Sequence, residues 1–334
     1  MAQRENRRGS RIWLLSVACA AASFTSACRR ACPLTEKVSR TPAEARLAEG
    51  GRALCNVVVA PSSSVRVRAD AGELADYLGR ISGASFEVVE GDGTSGIAVG
   101  VHTNFPALAT GFAFGGDAPF LRDRYALRSH ADGVWLLGAS EQAVTHAVWD
   151  LLRRLGYRLF FLTDTWEVVP DKPDLRVAVD AQEKPDYVTR QAPRGSPWSN
   201  EALWRRWRAR NRVDSAFSLS TGHAYDGIIR ACREEFDRHP EYRALVNGER
   251  RGSKFCIANP GLRKLVVDYA VRAVKADPRL ESVSADPSDG GGWCECKPRA
   301  ELGSVSDRAI TLANEVAEAV NRLGLGPKYV GIYA

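Results

Sequence analysis

Two carboxylates three residues apart, Asp286 and Asp289, open the stretch of this 334-residue chain best equipped for chemistry. Pro287 and Ser288 separate them, Gly290–Gly292 follow, and Trp293, Cys294, Glu295 and Cys296 close the stretch. Paired carboxylates can move protons or grip hydroxyls. A Trp face can stack on a flat apolar surface such as a pyranose ring. Glycines let the backbone between them turn freely. The plainer reading of the same residues is a polar turn, with Asp286 as its Asx residue and Trp293 packed beneath the glycines.

Other candidates lie upstream. His223 follows Gly222 at the end of an expected strand and can hydrogen-bond a hydroxyl or a carboxylate; backbone can satisfy it equally well. Arg190 has the planar fork that grips a carboxylate, either of a ligand such as a uronate or of a neighbouring side chain. Trp198, Trp204 and Trp207, interleaved with Arg205, Arg206, Arg208, Arg210 and Arg212, mimic an aromatic-basic nucleic-acid patch. Their helical spacing points instead to core tryptophans beside solvated arginines. Neither Cys294-x-Cys296 nor the five histidines make a recognisable zinc pattern, so no metal and no cofactor are expected.

The elements that must position these residues fall into two blocks. Strands are expected at Asn56–Ala60, Phe86–Val89 and Ile97–Val101, with a helix over Ala71–Ile81. A hairpin over Tyr125–Ser129 and Val134–Gly138 turns at Asp132-Gly133. Ser140 caps a strongly amphipathic helix, Glu141–Leu155, that Gly156 stops. Tyr157–Phe161, Trp166–Pro170 and Leu175–Val179 complete a small α+β domain, an antiparallel sheet with two helices on one face. After Lys184-Pro185 the texture becomes alternating. Strands at Tyr187–Gln191, Val213–Leu219, Leu280–Ala285 and Lys328–Ala334 are separated by helices at Asn200–Arg210, Ile228–Phe236, Asn259–Ala276 and Ser306–Leu323. That series suggests the first half of an incomplete α/β, TIM-type barrel, since a full one needs roughly 250 residues. On this reading the chain looks truncated.

Charge bears on location. Residues 1–32 carry six arginines and one glutamate, a local +5 of the chain's +6, and the body is nearly neutral. A neutral body argues against nucleic acid as a partner. The arginine-rich start, the apolar run Ile12–Ala22 and the small residues after it form an export leader. The run is short for a membrane span. Thr25-Ser26-Ala27-Cys28 resembles a lipoprotein cleavage box that would lipidate Cys28 and anchor the chain to a membrane; cleavage near Ala27 or Ala31 is the alternative. An exported location permits disulfides, but the spacing of Cys32, Cys55, Cys232, Cys256, Cys294 and Cys296 assigns no pairing. The organisation expected is a leader (1–32), a linker (33–52), the α+β domain (53–182) and the barrel half (183–334). The product would be periplasmic, on the cell surface or secreted.

Both blocks resemble known families. AGELADYLGRISGASFEVV, IAVG and the run from GASEQAVTHAVWDLLRRLGYRLFF to WEVVP are similar to the non-catalytic N-terminal domain of alpha-glucuronidases and beta-hexosaminidases. HPEYRALVN, CIANP, Ser282–Cys296 and SDRAITLANEVA resemble an uncharacterised barrel family of exported bacterial proteins that often follows that domain. In that pattern a third Cys usually follows the Cys-x-Cys pair after two intervening residues; here, after Lys297 and Pro298, the position is Arg299. The resemblance implies a glycoside-hydrolase-like architecture with its acid pair at the end of the fourth strand, where Asp286 and Asp289 stand. One of them would be the general acid and the other would position substrate, with Glu295 as a further carboxylate nearby. Trp293, His223 and Arg190 would bind the sugar. The function expected is thus an exported carbohydrate-active protein, a glycoside hydrolase of polysaccharide or glycan. The alternatives are a non-catalytic carbohydrate-binding or surface protein, and a metal-assisted hydrolase built on Asp286, Asp289 and His223.

Overall fold

The structure is a computed structural model that describes residues 42–116, 118–190, 200–297 and 302–333. The leader with Cys28, and Trp198 and Arg299, lie outside the described residues. Among the described residues no helix is long and apolar enough to cross a membrane.

The first block runs β1 (Glu44–Glu49), β2 (Arg52–Ala53), β3 (Val57–Val59), α1 (Val65–Ser82), β4 (Val88–Glu90), β5 (Gly96–Val101), β6 (Tyr125–His130), β7 (Gly133–Gly138), α2 (Glu141–Leu155), β8 (Arg158–Leu159), β9 (Glu167–Val168), β10 (Leu175–Ala178) and β11 (Asp180–Glu183). The six-stranded sheet has the order β11-β6-β7-β5-β3-β4. It is mixed, not antiparallel as expected. The pairs β3–β4, β3–β5 and β5–β7 are parallel, while β6–β7 and β6–β11 are antiparallel. The reason is the crossover: α1 lies between β3 and β4, and a helical crossover returns the chain in the same direction. Both helices pack on this sheet. Leu74, Leu78 and Ile81 of α1 meet Val144, Val148, Leu151 and Leu152 of α2 in its core.

The expected linker is partly a strand. β1 is the centre of a second sheet, β10-β1-β2. Its sequence EARLAE buries Ala45 and Leu47 and exposes Glu44, Arg46 and Glu49. That alternation is the signature of a half-buried strand, disguised by its charged residues.

The second block holds α3 (Glu201–Arg210), α4 (Ala224–Ala231), α5 (Arg233–Arg238), β12 (Arg243–Val246), β13 (Glu249–Phe255), α6 (Pro260–Ala276), β14 (Ser282–Ser284), α7 (Val305–Asn321) and β15 (Tyr329–Gly331). Asn259 caps α6 through the N–H groups of Gly261 and Leu262, with Pro260 in its first turn. Leu262, Val266, Leu312, Val316 and Val320 of α6 and α7 form the core with Tyr225, Phe236 and Phe255. Of the expected barrel strands, β14 and β15 form one parallel pair, Ser282 opposite Tyr329 and Ser284 opposite Gly331.

The stretches 187–190 and 213–219 are irregular. Side chains take backbone donors that a ladder would need. Ser215 Oγ accepts from Arg190 N–H at 2.9 Å, Asp123 from Ala216 N–H at 2.9 Å, and Ser282 Oγ from Ser220 N–H at 2.7 Å. The described residues therefore do not close a barrel.

Arg205 of α3 is exposed as expected, but Arg206 and Arg210 of that helix and Arg212 just after it are paired with carboxylates. Arg210 is 8% exposed and pairs with Glu167; Arg206 bridges Glu167 and Asp164; Arg212 pairs with Asp150. They bind the second block to carboxylates of the first, and Trp204 and Trp207 are half-buried beside them.

Candidate functional site

The carboxylates that follow β14 have opposite surroundings. Asp286 is fully buried. Its Oδ1 accepts from Tyr333 N–H at 2.6 Å. Its Oδ2 accepts from Ser284 Oγ at 2.9 Å and from Gly222 N–H. Its carbonyl takes Tyr225 N–H at 3.3 Å. It thus clasps the end of β14 to the loop before α4 and to the residues after β15.

Asp289 is 81% exposed, with Oδ2 3.4 Å from His223 Nε2. His223 Nδ1 lies 3.2 Å from Tyr333 Oη, whose proton goes to Pro287 O at 2.9 Å. The two ring nitrogens of His223 thus face Tyr333 on one side and Asp289 on the other. Asp289 and His223 form an exposed pair at the end of the loop. His223 has φ of 26°, and it follows Gly222 with φ of 113°. That backbone is uncommon for a side-chain-bearing residue and persists where surrounding bonds over-determine it, as the Asp286 clasp on Gly222 does here.

Beside the pair is a cleft of about 180 Å³ lined by Lys254, Ser288, Asp289, Trp293, Ser306 and Tyr333. Lys254 projects from β13 and is 2% exposed. Its ammonium sits 4.3 Å from the Trp293 ring centroid and has no hydrogen-bond partner among the described residues. Burial pushes its pKa below the ordinary lysine value, against the pull of Asp289 and Asp226. Ser288 Oγ holds Asp226 at 2.7 Å. A buried ammonium without acceptors is costly, so the cleft is a place where an acceptor-bearing ligand gains.

Asp289, His223 and Trp293 are thus brought together at one mouth, with Asp286 directly beneath. Arg190 stands elsewhere. Its guanidinium binds Asp123 at 3.1 Å, Tyr187 O at 3.0 Å and Asp214 O, with its side chain 16% exposed. Glu295 is outside the cleft lining and accepts from Asn247 N–H at 2.9 Å. Sequence reasoning missed Lys254 and Tyr333. Lys254 lies in the charged strand ERRGSKF, where nothing local marks it as buried; the Trp293 ring lies against its ammonium. It also missed that Cys294-x-Cys296 meets Cys256.

No curated protein matches the chain. Among solved structures, it is similar to the GH20 beta-N-acetylhexosaminidase from Streptomyces coelicolor A3(2) at 15% identity and a TM-score of 0.41, over 87% of this chain and 63% of that one. The Streptomyces plicatus N-acetyl-beta-hexosaminidase gives 15% identity, a TM-score of 0.40 and the same coverage. The chain thus spans 63% of the length of each of these hexosaminidases. The GH115 4-O-methyl-alpha-glucuronidase BtGH115A, with specificity for decorated arabinogalactans, gives 13% identity and a TM-score of 0.46, over 85% of this chain and 42% of that one. One family covers residues 161–328, half of the sequence and nearly all of the second block, and the chain belongs to it: the family described as Domain of unknown function (DUF4838).

Proposed function

We propose that this chain is an exported, glycoside-hydrolase-like protein whose cleft takes a sugar unit of a polysaccharide or glycan. The observation that carries the reading is the buried ammonium of Lys254, without an acceptor among the described residues, beside the Asp289–His223 pair. A sugar offers ring and hydroxyl oxygens to Lys254 and an apolar face to the wall that Trp293 forms. In this reading Asp289, with His223 beside it, gives a proton to a leaving glycosidic oxygen, the general-acid step of glycoside hydrolysis. In this assignment Asp286 is a positioning residue: it holds Gly222, and so His223, and it holds the backbone of Tyr333. Export follows from the arginine-rich leader, and Cys28 is its candidate lipid anchor; loss of the chain from the membrane fraction in Cys28→Ala tests the anchor.

The test is turnover of a panel of aryl glycosides, uronides and N-acetylhexosaminides by the full chain. Asp289→Asn is expected to lower kcat by about a hundredfold or more, and Lys254→Met to raise KM. Unchanged kinetics in both variants would sink the assignment.

A second reading, a non-catalytic carbohydrate-binding protein, is favoured by the state of Asp286. Both its oxygens are taken by the fold, which leaves Asp289 as the carboxylate in the cleft lining among the described residues. Glycosidases of the common kind use two. Glycan-array binding that Lys254→Met weakens, with no turnover across the panel, would decide for it.

A further inference from the structure

Three cysteines distant in sequence meet beside the cleft. Cys256 directly follows β13, Cys294 and Cys296 follow Trp293, and the three sulfurs lie within 4.8 Å of one another. All three residues are buried, at 4%, 2% and 7% exposure. Cys256 and Cys296 Sγ are 3.6 Å apart. A disulfide needs about 2.05 Å, whereas two thiolates on one tetrahedral zinc, each bonded at about 2.3 Å, stand about 3.8 Å apart. Two donors approach the Cys294 sulfur. Leu245 N–H donates to Cys294 Sγ at 3.4 Å, and Arg250 Nη1 is 3.9 Å from the same sulfur. Such donors aimed at a ligand sulfur hold it in the deprotonated form and orient it. Ala244, Val246 and Ala258 make the remaining wall apolar.

We propose that Cys256, Cys294 and Cys296 form a tris-thiolate site for a zinc ion. On binding, each Sγ–H gives its proton to solvent and a lone pair to the ion, so three protons leave per ion and no oxidation state changes. Three thiolates on a divalent ion leave one negative charge, which the Arg250 guanidinium faces. The ion ties the β12–β13 hairpin to the loop of Trp293. Lys254 is two residues from one ligand and Trp293 is next to another, so the ion also braces two walls of the cleft. The site itself does not depend on the sugar reading.

The test is metal analysis of the full chain purified with reductant, equilibrated with zinc and desalted. Close to one zinc per chain is expected, lost in Cys294→Ser and kept in Cys232→Ser, which changes a buried cysteine outside the cluster. Loss of a buried thiol can also unfold a protein, so cobalt titration of the metal-stripped wild type is the second measurement. A saturable sulfur-to-cobalt charge-transfer band is expected. Zinc content no higher than in Cys294→Ser, a Cys256–Cys296 disulfide mapped by mass spectrometry in the reductant-treated chain, or cobalt spectra without that band would overturn the proposal.

Discussion

Glu167→Gln should cost the protein about 3 kcal/mol at neutral pH, and the cost should shrink in acid. Five donors converge on this carboxylate: Tyr77 Oη at 2.7 Å, Tyr157 Oη at 2.8 Å, Arg80 at 3.1 Å, Arg206 at 2.9 Å and Arg210 at 2.7 Å. Its side chain is 6% exposed. Burial by itself pushes the carboxyl up; the hydrogen bonds of Tyr77, Tyr157, Arg80 and Arg206 outweigh it and bring the pKa from 4.5 to about 2. That difference corresponds to about 3 kcal/mol of stability. Because the folded value is the lower one, the contribution is fully present above pH 4.5 and is lost as pH falls toward 2. At pH 3 about 2 kcal/mol of it is already gone. An independent route agrees, since removing one partner of a buried ion pair costs about 3–5 kcal/mol. Urea unfolding of both proteins at pH 7 and pH 3 is the assay. The gap between them should narrow from about 3 to about 1 kcal/mol. A gap below about 0.5 kcal/mol at pH 7, or one that does not narrow, would refute the reasoning.

Further outcomes are expected elsewhere in the fold. Arg190→Met strands the fully buried carboxylate of Asp123 and should destabilise by about 3 kcal/mol in urea, while the affinity of any cleft ligand stays at the wild-type value. Gly331→Ala places a Cβ 1.9 Å from the Ser220 carbonyl oxygen; it should lower the unfolding temperature and weaken the β14–β15 pair, seen as faster amide exchange there. Asp286→Asn exchanges an acceptor for a donor against Tyr333 N–H or the Gly222 and Ser284 donors. It should cost about 2–4 kcal/mol, whereas Asp289→Asn should leave stability within about 0.5 kcal/mol.

What was legible in the sequence is what local chemistry decides. The helix over Glu141–Leu155 is found as read, because Ser140 caps it, Gly156 takes φ of 112° at its end and the apolar stripe between has helical period. The Asn259-Pro260 start of α6 was equally plain. The barrel-like strands failed for a nonlocal reason. Nothing in Val213–Leu219 reveals that Asp123, 93 residues earlier, takes the Ala216 N–H. The arginines of α3 looked solvated because Glu167 and Asp150, their partners, belong to the other block. At the cleft, Asp289 and His223 were legible as polar residues in glycine-rich turns. Lys254 was not, since nothing local marks it as buried; the Trp293 ring lies against its ammonium. The cysteine cluster was hidden likewise: β13 delivers Cys256 to a pair that had no third member nearby in sequence.

The two carboxylates after β14 show how one short loop can separate holding from reacting. A carboxylate whose two oxygens accept two backbone N–H groups and a hydroxyl has its acceptor sites committed to the fold. Asp286 is in that state, and no solvent reaches it. Three residues on, Asp289 has left the interior, and its close partner is an imidazole. Pro287 and Ser288 make the difference. Tyr333 Oη pins the Pro287 carbonyl, Ser288 Oγ is spent on Asp226, and the chain then emerges into the three glycines. The clasp also acts at a distance, because the Gly222 N–H it holds immediately precedes His223, and the Tyr333 N–H it holds belongs to the residue whose hydroxyl lies 3.2 Å from His223 Nδ1. The His223–Asp289 geometry is therefore inherited from Asp286. Loss of that carboxylate should displace the His223 imidazole from Asp289, a change that the ring-proton NMR shifts of His223 would report.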